Sequence, residues 1–183
     1  MTIAGKIETT IAIPSGVTVA VDGNKVSVKG PKGELCRTFK HPRVKLEVDG
    51  EVVRSSCEYP RTEDKAMVGT YAAHVRNMIR GVTEGYTYTL KAVFSHFPMK
   101  IAVKGDVVEI NNYMGGKAPR YAKIIGACKV KVNGVDITVD GINIEECGQT
   151  AANLERATSR LGFDKRVFQD GIYVIHKSHK VKE

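Results

Sequence analysis

A series of turns written twice constrains this chain more than any other feature. Asp22-Gly23 stands between "VTVAV" and "NKVSVKG", and Gly105-Asp106 stands between "KIAVK" and "VVEI", 83 positions further on. Asp49-Gly50 joins "VKLEV" to "EVVRS", and Asn133-Gly134 joins "CKVKV" to "VDITV", 84 positions on. Pro14 and Pro98 are again 84 apart, and each precedes the first hairpin of its series. Asp-Gly and Asn-Gly between alternating apolar runs are strong hairpin signals, because glycine accepts the positive φ of a two-residue turn. A chain that repeats such a series at constant spacing is expected to fold as two similar units.

Each hairpin series leads into one helical pattern. In the first, Thr62 is the expected N-cap, with Glu63 and Asp64 in the electropositive first turn. Met67, Tyr71, Val75 and Met78/Ile79 recur every three or four residues and form one apolar stripe. Arg80 lies in the expected last turn and Gly81 is the expected stop. In the second, Thr150 is the expected cap. Leu154, Ala157 and Leu161 form the stripe, and Gly162, 81 positions after Gly81, ends it. A helix with one stripe covers one face of a sheet and leaves the other to solvent or a partner. The expected fold class is therefore α+β, a tandem duplication of a small antiparallel sheet with one packed helix. The expected units are residues 1–82 and 83–183. "GYTYTLKAVF" alternates at Tyr86, Tyr88, Leu90, Ala92 and Phe94, so one strand leads directly into the second unit.

With 42% hydrophobic residues the chain has enough apolar material for packed cores. Four cysteines, at 36, 57, 128 and 147, lack the short C-x-x-C spacing of a zinc site. They are expected to be reduced, packed as small hydrophobes, and free of metal. The N-terminus carries Glu8 and no continuous apolar core of a signal peptide, and no apolar run approaches a membrane span. The expectation is a soluble protein of the cytoplasm.

Net charge is +8, and its distribution says more than its size. Residues 46–60 hold four acids and one base, and residues 132–148 hold four acids and no base. Residues 25–45 hold seven Lys/Arg against one acid, and residues 99–131 seven against two. Residues 165–183 hold five against two, beside His176 and His179. Basic blocks on loops and tails are an electrostatic footprint for phosphate. The sharpest block is "NNYMGGKAPRYAK". There Lys117, Arg120 and Lys123 are interleaved with Tyr113 and Tyr121, supplying cations for phosphates and rings for bases or riboses.

Several motifs fail on their own terms. "GGK" lacks the glycine six residues before the lysine (Asn111 is there) and the following Ser/Thr (Ala118 is there), so it is not a phosphate loop. "GPKG" at 30–33 follows a strand rather than a helix, so it reads as a β-turn with Pro31 at its second position and not as a KH loop. His176 and His179 have no acid or cysteine beside them to complete a metal site. No serine elbow, no H-E-x-x-H and no close acidic pair in a Gly-rich loop occurs. No catalytic residue, metal, cofactor or small-molecule substrate is expected.

"VSVKGPKGEL", "NMIRGVTEGY", "HFPMKIAVKGD", "VDGINIEECGQTAANLERAT" and "RVFQDGIYV" resemble, in order, the family of the universal large-subunit ribosomal protein six, large-subunit protein nine of eukaryotes. The resemblance runs from about Ile11 to Lys177 and its ending is similar to archaeal and eukaryotic members. The chain departs from their pattern at Gly116, where such relatives tend to carry an acidic residue. The resemblance implies a duplicated α+β fold without catalytic activity. It also implies binding of large-subunit rRNA, chiefly by the second unit, near the sarcin–ricin loop and the stalk base where translation factors dock, beside neighbouring large-subunit proteins. Carried over by position, the rRNA contacts fall on Tyr113, Lys117, Arg120 and Lys123 of the loop, and on Arg156 and Arg160 of the second helix. They continue through Arg166 to Lys177, Lys180 and Lys182 of the tail. A free-standing RNA-binding regulator would share these features. An RNA-modifying enzyme would need a cofactor cradle or an acid/base pair that the sequence does not offer.

Overall fold

A computed structural model describes residues 5–160, 162–164 and 166–177. Leu161, expected in the second helical stripe, and Lys180 and Lys182, expected in the basic tail, lie outside the described residues. The chain divides between Gly85 and Tyr86 into two compact units.

The first unit contains β1 (Lys6–Ala12), β2 (Thr18–Asp22), β3 (Lys25–Gly30), β4 (Gly33–Thr38), β5 (Lys45–Asp49), β6 (Val52–Glu58) and α1 (Thr62–Thr83). Its strands form two antiparallel sheets, ordered β1-β6-β5 and β2-β3-β4. The second unit contains β7 (Tyr86–Val93), β8 (Lys100–Lys104), β9 (Val107–Asn111), β10 (Arg120–Lys123), β11 (Lys129–Asn133), β12 (Asp136–Gly141), α2 (Ile144–Ala157) and β13 (Gly171–His176). Its sheets are ordered β10-β9-β8 and β11-β12-β7-β13. The α+β class and the duplication are as the sequence predicts. Each hairpin series, however, is split between two sheets, because β1 and β7 pair with β6 and β12 rather than with the hairpin that follows them.

The turns explain the 83–84-residue repeat. Asp22 pairs with Lys25, Asp49 with Val52, Lys104 with Val107 and Asn133 with Asp136, each across a two-residue loop that begins with glycine. Gly23, Gly50, Gly105 and Gly134 have φ of 56, 57, 57 and 61°. The second loop residue keeps a negative φ in every case. This is the type II′ pattern, whose twist matches the flanking strands. The aspartate or asparagine before Gly23, Gly50 and Gly134 is therefore the last strand residue and not part of the loop. Gly30 and Gly33 pair across Pro31-Lys32, the turn expected for "GPKG".

The cores follow the duplication. Val26 and Val28 of β3 and Val53 of β6 are fully buried, as are Val108 and Ile110 of β9 and Ile137 and Val139 of β12. In the first unit Val68, Tyr71, Ala72, Val75, Met78, Ile79 and Val82 of α1 close the core. Tyr71, Val75, Met78 and Ile79 are buried as expected, but the stripe begins at Val68 rather than at Met67, which is only half-buried. The outer face of the β1-β6-β5 sheet carries an ion-pair chain, Lys6–Glu8 (3.1 Å), Arg54–Glu8 (3.6 Å) and Arg54–Asp49 (3.1 Å).

Every helix end differs from the sequence reading, and α2 stops at Ala157, with Thr158 as its C-cap, before the expected stop at Gly162. α1 is capped by Arg61 rather than Thr62, and its backbone N–H donates to Asp64 Oδ2 at 2.9 Å. That carboxylate also meets Arg43 Nη1 at 3.3 Å and His41 Nε2 at 3.6 Å. The Arg61 hydrogen bond, followed by the Arg43 and His41 charges, holds it below the ordinary range. Gly81 is buried inside α1, which runs on to Thr83; Gly85, at φ 74°, is the residue that turns the chain out. α2 begins at Ile144, because Asn143 caps it by accepting from the Glu145 N–H at 3.1 Å. Thr150 is consequently a buried mid-helix residue, whose Oγ1 accepts from the Ile125 N–H at 3.0 Å. In the second unit β13 lies antiparallel on β7 and buries Ile172.

Candidate nucleic-acid interface

The loop singled out by sequence is bent tightly. A 3-10 turn, Tyr113–Gly115, is flanked and broken by two left-handed residues, Asn112 (φ 60°) and Met114 (φ 50°). Such conformations cost about 1–3 kcal/mol each and persist where surrounding contacts enforce them. Here Asn112 Nδ2 donates to Pro98 O at 3.0 Å, and Tyr113 drops into the core, 6% exposed.

Tyr113 and Arg120 form one hub. The guanidinium carbon of Arg120 lies 4.3 Å from the Tyr113 ring centroid. Arg120 Nη1 donates to Ala157 O at 2.8 Å and to Ser159 O at 3.2 Å, satisfying carbonyls that the end of α2 leaves open. The Tyr113 hydroxyl donates to Asp170 O at 3.3 Å, while the Asp170 carboxylate accepts from the Ser95 N–H at 3.2 Å. Burial pushes the Tyr113 hydroxyl pKa up, against the opposing Arg120 charge. Thr158, also buried, accepts from the Ile172 N–H at 2.9 Å and so ties the end of α2 to β13. Loop, helix end and last strand are thereby held in fixed register.

Around this hub the structure separates the sequence-predicted residues into two groups. Tyr113 and Arg120 are engaged inside the unit. Lys117, Lys123, Arg156, Arg160, Arg166 and Lys177 are exposed. Lys123 is placed beside α2, because its carbonyl accepts from Asn153 Nδ2 at 2.9 Å. Arg156 and Arg160 rim a cleft of about 330 Å³, walled also by Tyr113, Phe163, Phe168 and Tyr173. Arg160 stacks over Phe163 at 4.2 Å, and Phe163 meets Phe168 edge-on at 5.1 Å.

Beyond Tyr121, sequence reasoning does not single out the aromatic rings beside these cations. Phe163, Phe168 and Tyr173 are 39, 49 and 38% exposed, and Tyr121, on β10, is 62% exposed. Of the two loop tyrosines it is therefore Tyr121, not Tyr113, that offers a free ring. The signal lies in "GFDKRVFQDGIY", where aromatics alternate with charges, but its solvent exposure depends on the turn that Asp164 organises. Asp164 O accepts from the Val167 and Phe168 N–H groups, and Asp164 Oδ1 accepts from the Arg166 N–H at 2.9 Å. Exposed cations with exposed rings suit phosphate contact and base or ribose stacking.

Two basic residues of the first unit, Lys32 and Arg37, are engaged locally, while Lys25, Lys29, Lys40 and Lys45 are exposed. Lys32 Nζ donates to Glu84 O, and its backbone N–H donates to Val82 O at 3.0 Å, so this lysine caps α1. Arg37 lies over Phe39 at 5.8 Å. Among the described residues no cluster of three or more His, Cys, Asp or Glu is placed to hold a metal ion, and no helix is long and apolar enough to cross a membrane.

A family described as "Ribosomal protein L6" matches residues 13–85 and 97–171. The chain is 52% identical over 178 residues to "Large ribosomal subunit protein uL6" of Methanobrevibacter smithii, covering 97% of this chain and 99% of that one. It is 50% identical to the protein of the same name from Methanosarcina mazei, covering 94 and 98%. The identity to that from Desulfurococcus amylolyticus is 51%, covering 96 and 95%.

Proposed function

Because the chain belongs to the ribosomal protein L6 family, we propose that it is a structural constituent of the large ribosomal subunit, bound to the large-subunit rRNA. The second unit is the main rRNA-binding element. The observation that carries this reading is its exposed set of Lys117, Lys123, Arg156, Arg160, Arg166 and Lys177 beside exposed aromatic rings. Six cations on one unit can neutralise several phosphates, and phosphate contacts dominate affinity. Tyr113 and Arg120 serve that surface by fixing the loop that bears Lys117. Lys180 and Lys182 extend the basic series along the sequence.

The binding place is the region of the sarcin–ricin loop and stalk base, beside neighbouring large-subunit proteins, where the chain supports the site at which translation factors dock. The chain turns over no substrate in this role. Sedimentation tests the reading. A tagged copy expressed in an archaeal host should stay with large subunits through a high-salt wash. Release into the soluble fraction at moderate salt would make it a free-standing RNA-binding regulator instead.

A further inference from the structure

We propose that Cys128 and Cys147 are a disulfide-forming pair, a site of reversible oxidation that staples the approach to β11 onto the start of α2. All four cysteines are free thiols here, yet the Sγ atoms of these two lie 3.3 Å apart. A bond of about 2.0 Å requires the sulfurs to close by little more than about 1 Å. The pair is nineteen positions apart in sequence, and the intervening hairpin brings the two together.

The surroundings are built to keep them together. Three hydrogen bonds run along the seam between α2 and the chain from the end of β10 onward. Asn153 Nδ2 donates to Lys123 O at 2.9 Å, the Ile125 N–H to Thr150 Oγ1 at 3.0 Å, and the Ala127 N–H to Glu146 Oε2 at 3.3 Å. The two sulfurs close that seam. Gly141, the last residue of β12, makes room for them. A Cβ there would stand 2.5 Å from Cys147 Sγ and 3.2 Å from Cys128 Sγ. Gly141 has no left-handed φ, so its lack of a side chain matters here for space alone.

The chemistry is a two-step exchange with a low-molecular-weight disulfide, RS–SR. Cys128, the half-buried thiol, loses its proton, and its thiolate attacks one sulfur of RS–SR. One RS⁻ leaves and takes up a proton. Cys147, fully buried, then loses its proton and attacks the Cys128 sulfur, releasing the second RS⁻ as RSH. Two thiols are oxidised, one small disulfide is reduced, and two RSH form. Burial raises both thiol pKa values, so the pair is slow to react at neutral pH and its product is shielded afterwards. The bond would fix the segment that follows Lys123, a residue of the exposed basic surface.

The test uses the purified full chain and excess hydroxyethyl disulfide, followed by acid quench, alkylation and peptide mapping. The expected product is a peptide joining Cys128 to Cys147, about 2 Da lighter than its reduced parts, with Cys57 still alkylated. Exposed Cys36 should carry an open hydroxyethyl adduct. The closed loop should raise the melting temperature of the second unit by roughly 10–20 °C, reversibly with dithiothreitol. Cys36→Ser should leave the link intact and Cys128→Ser should abolish it. An open adduct accumulating on Cys128 with Cys147 still alkylatable would overturn the proposal. So would a linked product that melts at the temperature of the reduced protein.

Discussion

Replacing Arg120 separates its structural role from direct RNA contact, because lysine keeps the charge and loses the planar group that stacks on Tyr113. In the structure one guanidinium nitrogen serves two carbonyls, Ala157 O at 2.8 Å and Ser159 O at 3.2 Å, and the plane covers the Tyr113 ring at 4.3 Å. A hydrogen bond from a charged donor contributes about 1.5–3 kcal/mol, and a half-exposed site calls for the lower end. The stacked contact adds about 0.5–1 kcal/mol. Arg120→Ala should therefore destabilise the second unit by about 2–3 kcal/mol. Arg120→Lys can retain one bond but not the planar double contact, and should cost roughly half of that. Urea titration of the full chain, with hydrogen exchange followed at the Ile172 amide, reads the loss in the right unit. That amide donates to Thr158 Oγ1, at the end of the helix that Arg120 caps. If both variants stay within about 0.5 kcal/mol of the parent, the hub is not holding the loop. Arg120 would then be a surface cation like Lys117.

Ile79→Ala should cost about 2–5 kcal/mol by lost burial and a residual cavity, since Ile79 is 6% exposed against the first sheets; thermal melting of the first-unit transition measures it. Gly30→Ala would place a Cβ 2.6 Å from Val82 Cγ2 and 3.1 Å from Val82 O, so overpacking should cost about 1–3 kcal/mol in the same transition. Asp64 has a folded pKa below its ordinary 3.8, so its contribution is fully present above that value and is lost as pH falls through the lowered one. An acid titration should show the first-unit transition falling below about pH 4, and Asp64→Asn should melt lower at neutral pH with a shallower acid decline.

The parts of this fold that were legible in sequence are those fixed by local chemistry. Gly23, Gly50, Gly105 and Gly134 specify their turns because only a few φ/ψ combinations close a two-residue loop. The α1 stripe was legible because Tyr71, Val75, Met78 and Ile79 keep helical spacing over about two turns. The start of α2 was not. Its first two turns hold Glu145, Glu146, Gly148 and Gln149, so the apolar spacing becomes visible only from Ala151 and Leu154, and Thr150 took the place of the true cap, Asn143. The partition of each hairpin series between two sheets depends on pairing residues 6–12 with 52–58, which no local pattern encodes. The same limit applies to the site. "NNYMGGKAPRYAK" announces three cations and two rings, but neighbours distant in sequence, Ala157, Ser159 and Asp170, decide that Arg120 and Tyr113 turn inward while Lys117, Lys123 and Tyr121 stay exposed. Cys128 and Cys147 meet for the same reason.

The most direct test of the central claim, that exposed cations of the second unit hold the rRNA, is a salt titration of binding to a large-subunit rRNA fragment containing the sarcin–ricin region. The slope of log affinity against log salt changes by about 0.7–0.9 for each phosphate that the protein ceases to neutralise. Replacing Lys117, Lys123 and Arg156, all exposed, should flatten it by roughly two. Replacing Lys32 and Arg37 of the first unit, where Lys32 caps α1 and Arg37 lies over Phe39, should change it by less than a single phosphate would. A first-unit pair that flattens the slope as much as the second-unit triple, or a triple that leaves it unchanged, would contradict the account.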